Sequence, residues 1–293
     1  MQFMGYRRAD GRVGVRNYVL ILPGCACASE TCRLVASEVR GTKNVIMNVG
    51  CSDVQANTDM NLRVLTGFAL NPNVFGVIVI GLGCETVGHR ELAAKIRAET
   101  SKPVVSFGIQ EIGGTVATTA AAVKAAREMV AQASEQQREP CDASDLFVAI
   151  ECGGSDATSG IASNPAVGNM SDRIVDLGGT TMMSETIEFV GAEHILAKRG
   201  ATPEIHDQII RICEDYEKHL AGVGQDCRTG QPTTGNKAGG LSTIEEKSLG
   251  CIHKGGTRPV VEVLQEAARP TKKGALIMDT PGYDISSVTS MVA

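Results

Sequence analysis

Val74-Phe75-Gly76-Val77-Ile78-Val79-Ile80-Gly81-Leu82-Gly83-Cys84-Glu85 decides the fold class. The run 74–80 is apolar at almost every position rather than at alternate ones, the pattern of a strand covered on both faces. Gly81 and Gly83 then turn the chain, and a cysteine stands just past the strand's carboxyl end. Working outward, β-branched runs recur at 18–22, 44–49 and 103–107, then at 146–150, 180–183 and 275–278. Amphipathic helical patterns fill the intervals at 29–39, 58–69, 87–99, 115–134, 165–177, 189–199 and 203–220. This alternation predicts an α/β protein with mostly parallel sheets flanked by helices. Asn57-Thr58 and Thr202-Pro203-Glu204 are expected to start two of the helices, with cap oxygens and a pre-set first turn. The polar stretch 134–144, with Pro140, reads as a link between two α/β lobes, 1–137 and 138–293. The Gly-, Thr- and Asn-rich stretch 229–241 reads as a long functional loop.

The 293 residues carry 28 Lys+Arg against 33 Asp+Glu, a formal charge of −5, with 43% hydrophobic and 21% charged residues. Those proportions exclude a disordered chain. An acidic balance, six Phe, four Tyr and no Trp leave neither a basic stripe nor stacking rings, so no nucleic-acid partner is expected. The run 74–80 is too short to span a bilayer. Residues 1–8 lack the apolar stretch of a signal peptide, so a cytoplasmic protein without a membrane partner is expected.

Ten cysteines are the unusual feature, and the size and missing signal argue for reduced thiols. Four predicted strands deliver a cysteine to their carboxyl ends: Cys27 (through Pro23-Gly24-Cys25-Ala26), Cys51, Cys84 and Cys152. Ligands of open α/β sheets bind outside those ends. Any one of these thiols could be a small buried hydrophobe, but four at equivalent topological positions suggest a soft-metal or iron site. The CxxC pairs common in structural zinc sites are absent.

Other chemistries fit less well. Thr86 stands where a dinucleotide fingerprint needs its third glycine, and neither a Walker A sequence nor a nucleophile elbow is present. No two of the five histidines have metal-binding spacing. Cys152-Gly153-Gly154-Ser155-Asp156 offers hydroxyls and amides suited to carboxylate or hydroxyl groups. Glu185 leaves a strand at the same edge, and the segment 243–254 is dense in ionisable side chains. A carboxylate or amine near a metal can act as general base once burial moves its pKa toward neutrality.

These segments together resemble the altronate/galactarate dehydratase family in its large catalytic region. The matching stretches are Gly5-Tyr6-Arg7-Arg8-Ala9-Asp10-Gly11-Arg12-Val13-Gly14-Val15-Arg16-Asn17, Gly50-Cys51-Ser52, Gly81-Leu82-Gly83-Cys84-Glu85, Glu151-Cys152-Gly153-Gly154-Ser155-Asp156, Asn164-Pro165-Ala166-Val167-Gly168, Gly235-Asn236-Lys237-Ala238-Gly239-Gly240 and the segment 243–254. The similarity extends to the large subunit of sulfolactate sulfo-lyases.

The resemblance implies an iron-dependent hydro-lyase. It would remove the C2 proton and the 3-hydroxyl of a sugar acid to give a 2-keto-3-deoxy acid. Iron, as Fe2+ or an iron-sulfur cluster, or another divalent metal, would be held by Cys51, Cys84 and Cys152 with Cys27. Glu185 or Lys254 would serve as base, with Glu188 in support, and Arg16, Asn17, Ser155, Asp156, Asn236 and Lys237 would hold carboxylate and hydroxyls. A sulfo-lyase would run the same elimination with sulfite leaving, whereas a non-catalytic iron or redox protein would use the thiols alone. Family members often carry a small SAF-type domain before this region, so a separate small partner subunit, and an oligomer, are expected. They also continue for about another domain beyond it, so the chain reads as truncated at its C-terminal side.

Overall fold

The computed structural model describes all 293 residues and divides into two compact units, Gln2–Cys141 and Asp142–Val292. The first unit holds a parallel four-stranded sheet in the order β4-β3-β5-β6: β3 (Tyr18–Pro23), β4 (Thr42–Asn44), β5 (Val74–Gly81) and β6 (Val104–Gly108). The helices α1 (Ser29–Glu38), α2 (Gln55–Leu70), α3 (His89–Glu99), α4 (Ile109–Ile112) and α5 (Thr115–Glu135) alternate with these strands. Successive side chains of a strand point to opposite faces, which explains the unbroken apolar runs. Val19, Ile21, Ile78 and Ile80 pack against Cys32 and Val35 of α1 and Ala122, Ala126 and Met129 of α5. Leu20, Leu22, Val77 and Val79 pack instead against Leu65 and Ala69 of α2 and Leu92, Ala93 and Ile96 of α3. Each fully buried Ile or Leu here contributes about 1.5–3 kcal/mol. A small second sheet of this unit has the order β2-β1-β7, from β1 (Gln2–Arg7), β2 (Val13–Gly14) and β7 (Glu139–Asp142).

The second unit repeats the principle with a parallel sheet in the order β10-β11-β9-β8: β8 (Phe147–Ile150), β9 (Thr180–Met183), β10 (Val260–Leu264) and β11 (Ala275–Met278). Its helices are α6 (Asn164–Asp176), α7 (Glu193–Leu196), α8 (Pro203–Gly222), α9 (Cys227–Gly230), α10 (Thr234–Ala238), α11 (Ile244–Cys251) and α12 (Asp284–Val292). α8 shows the local logic. Thr202 caps it through its hydroxyl, which accepts from the Ile205 amide, Pro203 occupies the first turn, and Ile205, Ile209, Ile212 and Cys213 form its buried stripe.

Four sequence expectations are corrected. The run 44–49 is not a strand: only Thr42–Asn44 pairs with β3, because β4 is an edge strand. The chain then leaves the ladder, and Val45 and Met47 reach the core from loop positions. α2 begins three residues before Thr58, with Val54 at the cap and no side-chain cap bond; the Thr58 hydroxyl donates back to the Val54 carbonyl at 3.3 Å. The helix expected at 189–199 is broken by left-handed Gly191 (φ 86°), leaving the short α7 flanked by single 3-10 turns. The glycine-rich stretch 229–241 is partly helical as α9 and α10. The polar stretch 134–144 holds both β7 and the boundary between the two units, at 141/142.

Candidate active site

In the first unit, the loops that carry Cys27, Cys51 and Cys84 leave the carboxyl edge of the sheet and are laced by backbone bonds. The Ala26 amide donates to the Val49 carbonyl at 2.7 Å, and the Thr86 amide donates to the Gly50 carbonyl at 2.8 Å. Gly50 (φ 142°) lies so close to Cys25 that an added Cβ would sit 2.4 Å from the Cys25 Cβ. All three thiols are exposed. No three His, Cys, Asp or Glu ligand atoms of this unit lie within 4.8 Å of one another, the spacing of a single-ion site. Glu85 is a loop brace, accepting from the amides of Leu82, Gly83 and His89. Burial opposes its ionisation, but those amides win and its pKa is lowered.

Arg16 and Asn17 precede β3, at the amino edge of that sheet. The Arg16 guanidinium donates to the Val15 carbonyl, and the Asn17 amide donates to the Ala133 carbonyl at 2.8 Å. Both are engaged in holding backbone.

The second unit gathers the ionisable groups. The register Ile150↔Met183 and Met183↔Ile277 makes β8, β9 and β11 end together, so the residues that follow emerge side by side. After β8 come Glu151 and Cys152, after β9 come Ser184 and Glu185, and after β11 come Asp279 and Thr280. The Ser184 hydroxyl donates to Glu151 Oε2 at 2.6 Å. Glu151, Cys152 and Glu185 place ligand atoms within 4.8 Å of one another. Cys152 Sγ also lies 3.6 Å from Asp284 Oδ1, at the start of α12.

Glu185 is only 5% exposed, and its Oε2 has no hydrogen-bond partner. Burial, then the charge of Glu188, pushes its pKa up to about 8. Burial and the same two glutamates raise the Cys152 thiol above its ordinary value. Beside them lies an ion pair out of reach of solvent, between Lys254 (2% exposed) and Glu188 (1%). Burial works against the Lys254 charge, but the Glu188 carboxylate outweighs it and the pKa is raised. Cys251 completes the cluster: its thiol donates to Glu188 Oε1 at 3.3 Å, and burial with the Glu188 charge pushes it up to about 12.

Cys251 also lines an open cleft with about 650 Å3 of free space, together with Ser155, Ser159, Asn164, Lys247 and His253. Of the residues expected to hold substrate, Ser155 and Asp156 lie on this cleft. Asp156 is occupied as a turn brace, Oδ1 accepting from the amides and hydroxyls of Thr158 and Ser159. Asn236 ties the loop down, its side chain donating to the Ser155 carbonyl at 2.9 Å and closing a capping box with Thr233. Lys237 is an exposed residue of α10.

The structure thus brings Glu185, Glu188, Lys254 and Cys152 into one cluster. It adds Glu151, Ser184, Cys251, Thr280 and Asp284, which sequence reasoning did not assign. The carboxyl-edge rule that selected Cys152 and Glu185 applies equally to their neighbours Glu151 and Ser184. Cys251 and Asp284 had no such signal.

A buried carboxyl with a pKa near neutrality, set against a buried ammonium, is the equipment of enzymes that move protons on and off carbon. Comparison with known proteins narrows the class to lyases. Residues 143–293 match the D-galactarate/altronate dehydratase C-terminal family model, and residues 5–134 match the second-domain model of D-galactarate dehydratase/altronate hydrolase. The chain is 40% identical over 296 residues to the (2R)-sulfolactate sulfo-lyase subunit beta of Chromohalobacter salexigens, covering 99% of this chain and 74% of that protein. It is 33% identical over 301 residues to the altronate dehydratase of Bacillus subtilis, covering 99% of this chain and 60% of that one. Against the galactarate dehydratase (L-threo-forming) of Escherichia coli it is 35% identical over 310 residues, with 99% and 59% covered. The chain belongs to the D-galactarate/altronate dehydratase family, a family of lyases, and spans about three fifths of the length of its dehydratase relatives. No helix is long and apolar enough to cross a membrane.

Proposed function

We propose that the second unit carries the acid–base centre of a hydro-lyase that dehydrates a sugar acid of the altronate or galactarate kind. The observation that carries the reading is Glu185, buried, with a free oxygen and a pKa of about 8, beside the Lys254–Glu188 pair. A proton on the carbon next to a carboxylate is weakly acidic, and its removal needs a base of matched pKa and a cation for the charge that develops. Glu185 takes the C2 proton at Oε2. The Lys254 ammonium, fixed by Glu188, faces the developing enolate charge. The 3-hydroxyl must leave as water and therefore needs a proton, which favours a site rich in protonated groups such as Lys254 and Cys251. The enol left behind converts to the 2-keto-3-deoxy acid. The cleft lined by Ser155 and Ser159 suits the hydroxyls of the substrate.

The donor set fits a divalent cation, iron included. Glu151 and Cys152 offer a carboxylate and a sulfur beside Glu185, with ligand atoms of all three within 4.8 Å of one another. Glu151 and Cys152 would hold the ion, which when bound would supply Lewis acidity toward the substrate's oxygens, and Glu185 Oε2 stays free to act as base. The exposed thiols Cys27, Cys51 and Cys84 are the soft ligands for iron in the first unit.

The second reading is elimination of sulfite from sulfolactate. It is favoured by the 40% identity and by coverage of 74% of a relative named as that lyase's subunit beta. A companion subunit, and assembly with further copies, belong to both readings. The test is anaerobic purification with added Fe2+, then incubation with altronate, galactarate and (2R)-sulfolactate, reading 2-keto acid and sulfite separately. Keto acid without sulfite, lost in Glu185→Gln, supports the dehydratase. Sulfite release from sulfolactate alone would replace it with the second reading, and turnover undiminished in Glu185→Gln would remove Glu185 as the base.

A further inference from the structure

Glu185 is one of only three non-glycine residues with positive φ, at φ 69° and ψ 74°. L side chains rarely adopt this conformation, because Cβ crowds the backbone, and residues that do so in a buried site are held there by their surroundings. The surroundings here are specific. The Glu185 amide donates to the Thr280 hydroxyl at 2.8 Å, and the Thr280 and Ser287 hydroxyls lie 2.8 Å apart. Ser287 in turn donates to the Pro281 carbonyl at 3.2 Å. Because Ser287 spends its single proton on the Pro281 carbonyl, the Thr280 hydroxyl donates to Ser287, and the chain runs in one direction from Glu185 to the loop before α12.

A second set of bonds aligns the two segments. The Thr186 amide donates to the Thr280 carbonyl at 3.2 Å, and the Thr186 hydroxyl donates to Asp279 Oδ1 at 2.6 Å. Thr280 is 3% exposed and Ser287 0%, so water cannot replace a lost partner.

We infer that Thr280 is a positioning residue: its hydroxyl fixes the left-handed backbone of Glu185 and so aims the Glu185 carboxylate at Glu151 and Cys152. The inference rests on the assignment of Glu185 as base. Without the hydroxyl, the Glu185 amide is buried with no acceptor, and relaxation to negative φ rotates Cα–Cβ and turns the carboxylate away from its neighbours. Thr280 itself touches no reacting atom, so its loss acts through Glu185 alone.

The test compares Thr280→Val, which keeps the shape and removes the hydroxyl, with Thr280→Ser, which keeps the hydroxyl, in the full chain. Ser287→Ala removes only the anchor of that hydroxyl. The expected result is a fall in kcat of at least thirty-fold for Thr280→Val with KM within threefold, recovery to within threefold of wild type in Thr280→Ser, and an intermediate loss in Ser287→Ala. A crystal structure of Thr280→Val should show Glu185 at negative φ with its carboxylate withdrawn from Cys152. The inference is overturned if Glu185 keeps its positive φ in that variant, or if Thr280→Ser loses as much as Thr280→Val. Should Glu185→Gln turn over like wild type, it is the base assignment that falls, while the crystal structure still decides the positioning.

Discussion

Replacing Glu185 by Gln removes one titratable proton from a buried site and leaves its shape almost unchanged. The effect on stability can be worked out in advance. The carboxyl has an ordinary pKa of 4.5 and one of about 8 in the folded protein, so folding favours the protonated form. The stabilisation this gives is complete below the unfolded value and is lost as pH rises through the folded one. Between pH 6 and pH 9 the undiminished shift would remove about 2.6 kcal/mol from the wild type, at about 1.36 kcal/mol per pKa unit. Water that reaches the half-buried Glu151 and Cys152 beside it screens the carboxylate, and about 1.3 kcal/mol is the expected size. Glu185→Gln carries no such charge. Urea unfolding followed by circular dichroism, with EDTA present to keep cations out, should therefore show the variant gaining on wild type by about 1.3 kcal/mol from pH 6 to pH 9. The sign matters as much as the size, since an ordinary exposed glutamate titrates below this window and would give no trend. A difference between the two proteins that stays flat across these pH values would refute the raised pKa and, with it, the reason for choosing Glu185 as base.

Three further outcomes are expected. Lys254→Met should destabilise the second unit by about 3–5 kcal/mol, because it strands the buried Glu188 carboxylate, and the double variant Lys254→Met with Glu188→Leu should recover most of that in a denaturation cycle. Thr202→Ala should cost about 1 kcal/mol through loss of the α8 cap, read as a lower urea midpoint. Ellman's reagent should titrate Cys27, Cys51 and Cys84 rapidly, whereas the buried Cys32 and Cys213, whose thiols burial drives upward, should react only on unfolding. Fast modification of Cys32 in native protein would contradict the packing of α1 described above.

Much of the fold was legible because two-sided burial leaves an unmistakable mark. The run 74–80 reads as apolar throughout because Ile78 and Ile80 face α1 and α5 while Val77 and Val79 face α2 and α3. The same signal misled at 44–49, where Val45 and Met47 are apolar for packing and not for pairing. β1 and β7 escaped notice because a small peripheral sheet needs no long apolar run; β7 is Glu139-Pro140-Cys141-Asp142, with only Cys141 buried. In the site, the carboxyl-edge rule found Cys152 and Glu185, since strand ends are local features of sequence. Lys254 was noted from the density of charge around it, but its pairing with Glu188 spans 66 positions and no spacing could reveal it. Arg16 and Asn17 stand in a conspicuous motif before β3, and there each side chain donates to a backbone carbonyl, Val15 and Ala133.

What separates Lys254 from the other site residues is how it is delivered. Glu151, Glu185 and Thr280 arrive on strand ends, whose positions the parallel ladder fixes. Lys254 comes from a 3-10 turn at the end of α11, a weak element with no sheet to register it. Its placement depends on side chains that grip the turn from outside. The Arg199 guanidinium donates to the Gly255 carbonyl at 2.8 Å and to the Arg258 carbonyl at 2.9 Å. Asp172 on α6 accepts from the amides of Thr257 and Arg258 at 2.7 and 3.1 Å. Gly168 permits the close approach of α6, since a Cβ there would meet the His253 carbonyl at 2.1 Å. A buried ammonium is tolerable only while its carboxylate stays in reach, so this bracing is what keeps Lys254 paired with Glu188. The Lys254 charge is held in place less by Lys254 itself than by the grip of α6 and Arg199 on Gly255, Thr257 and Arg258.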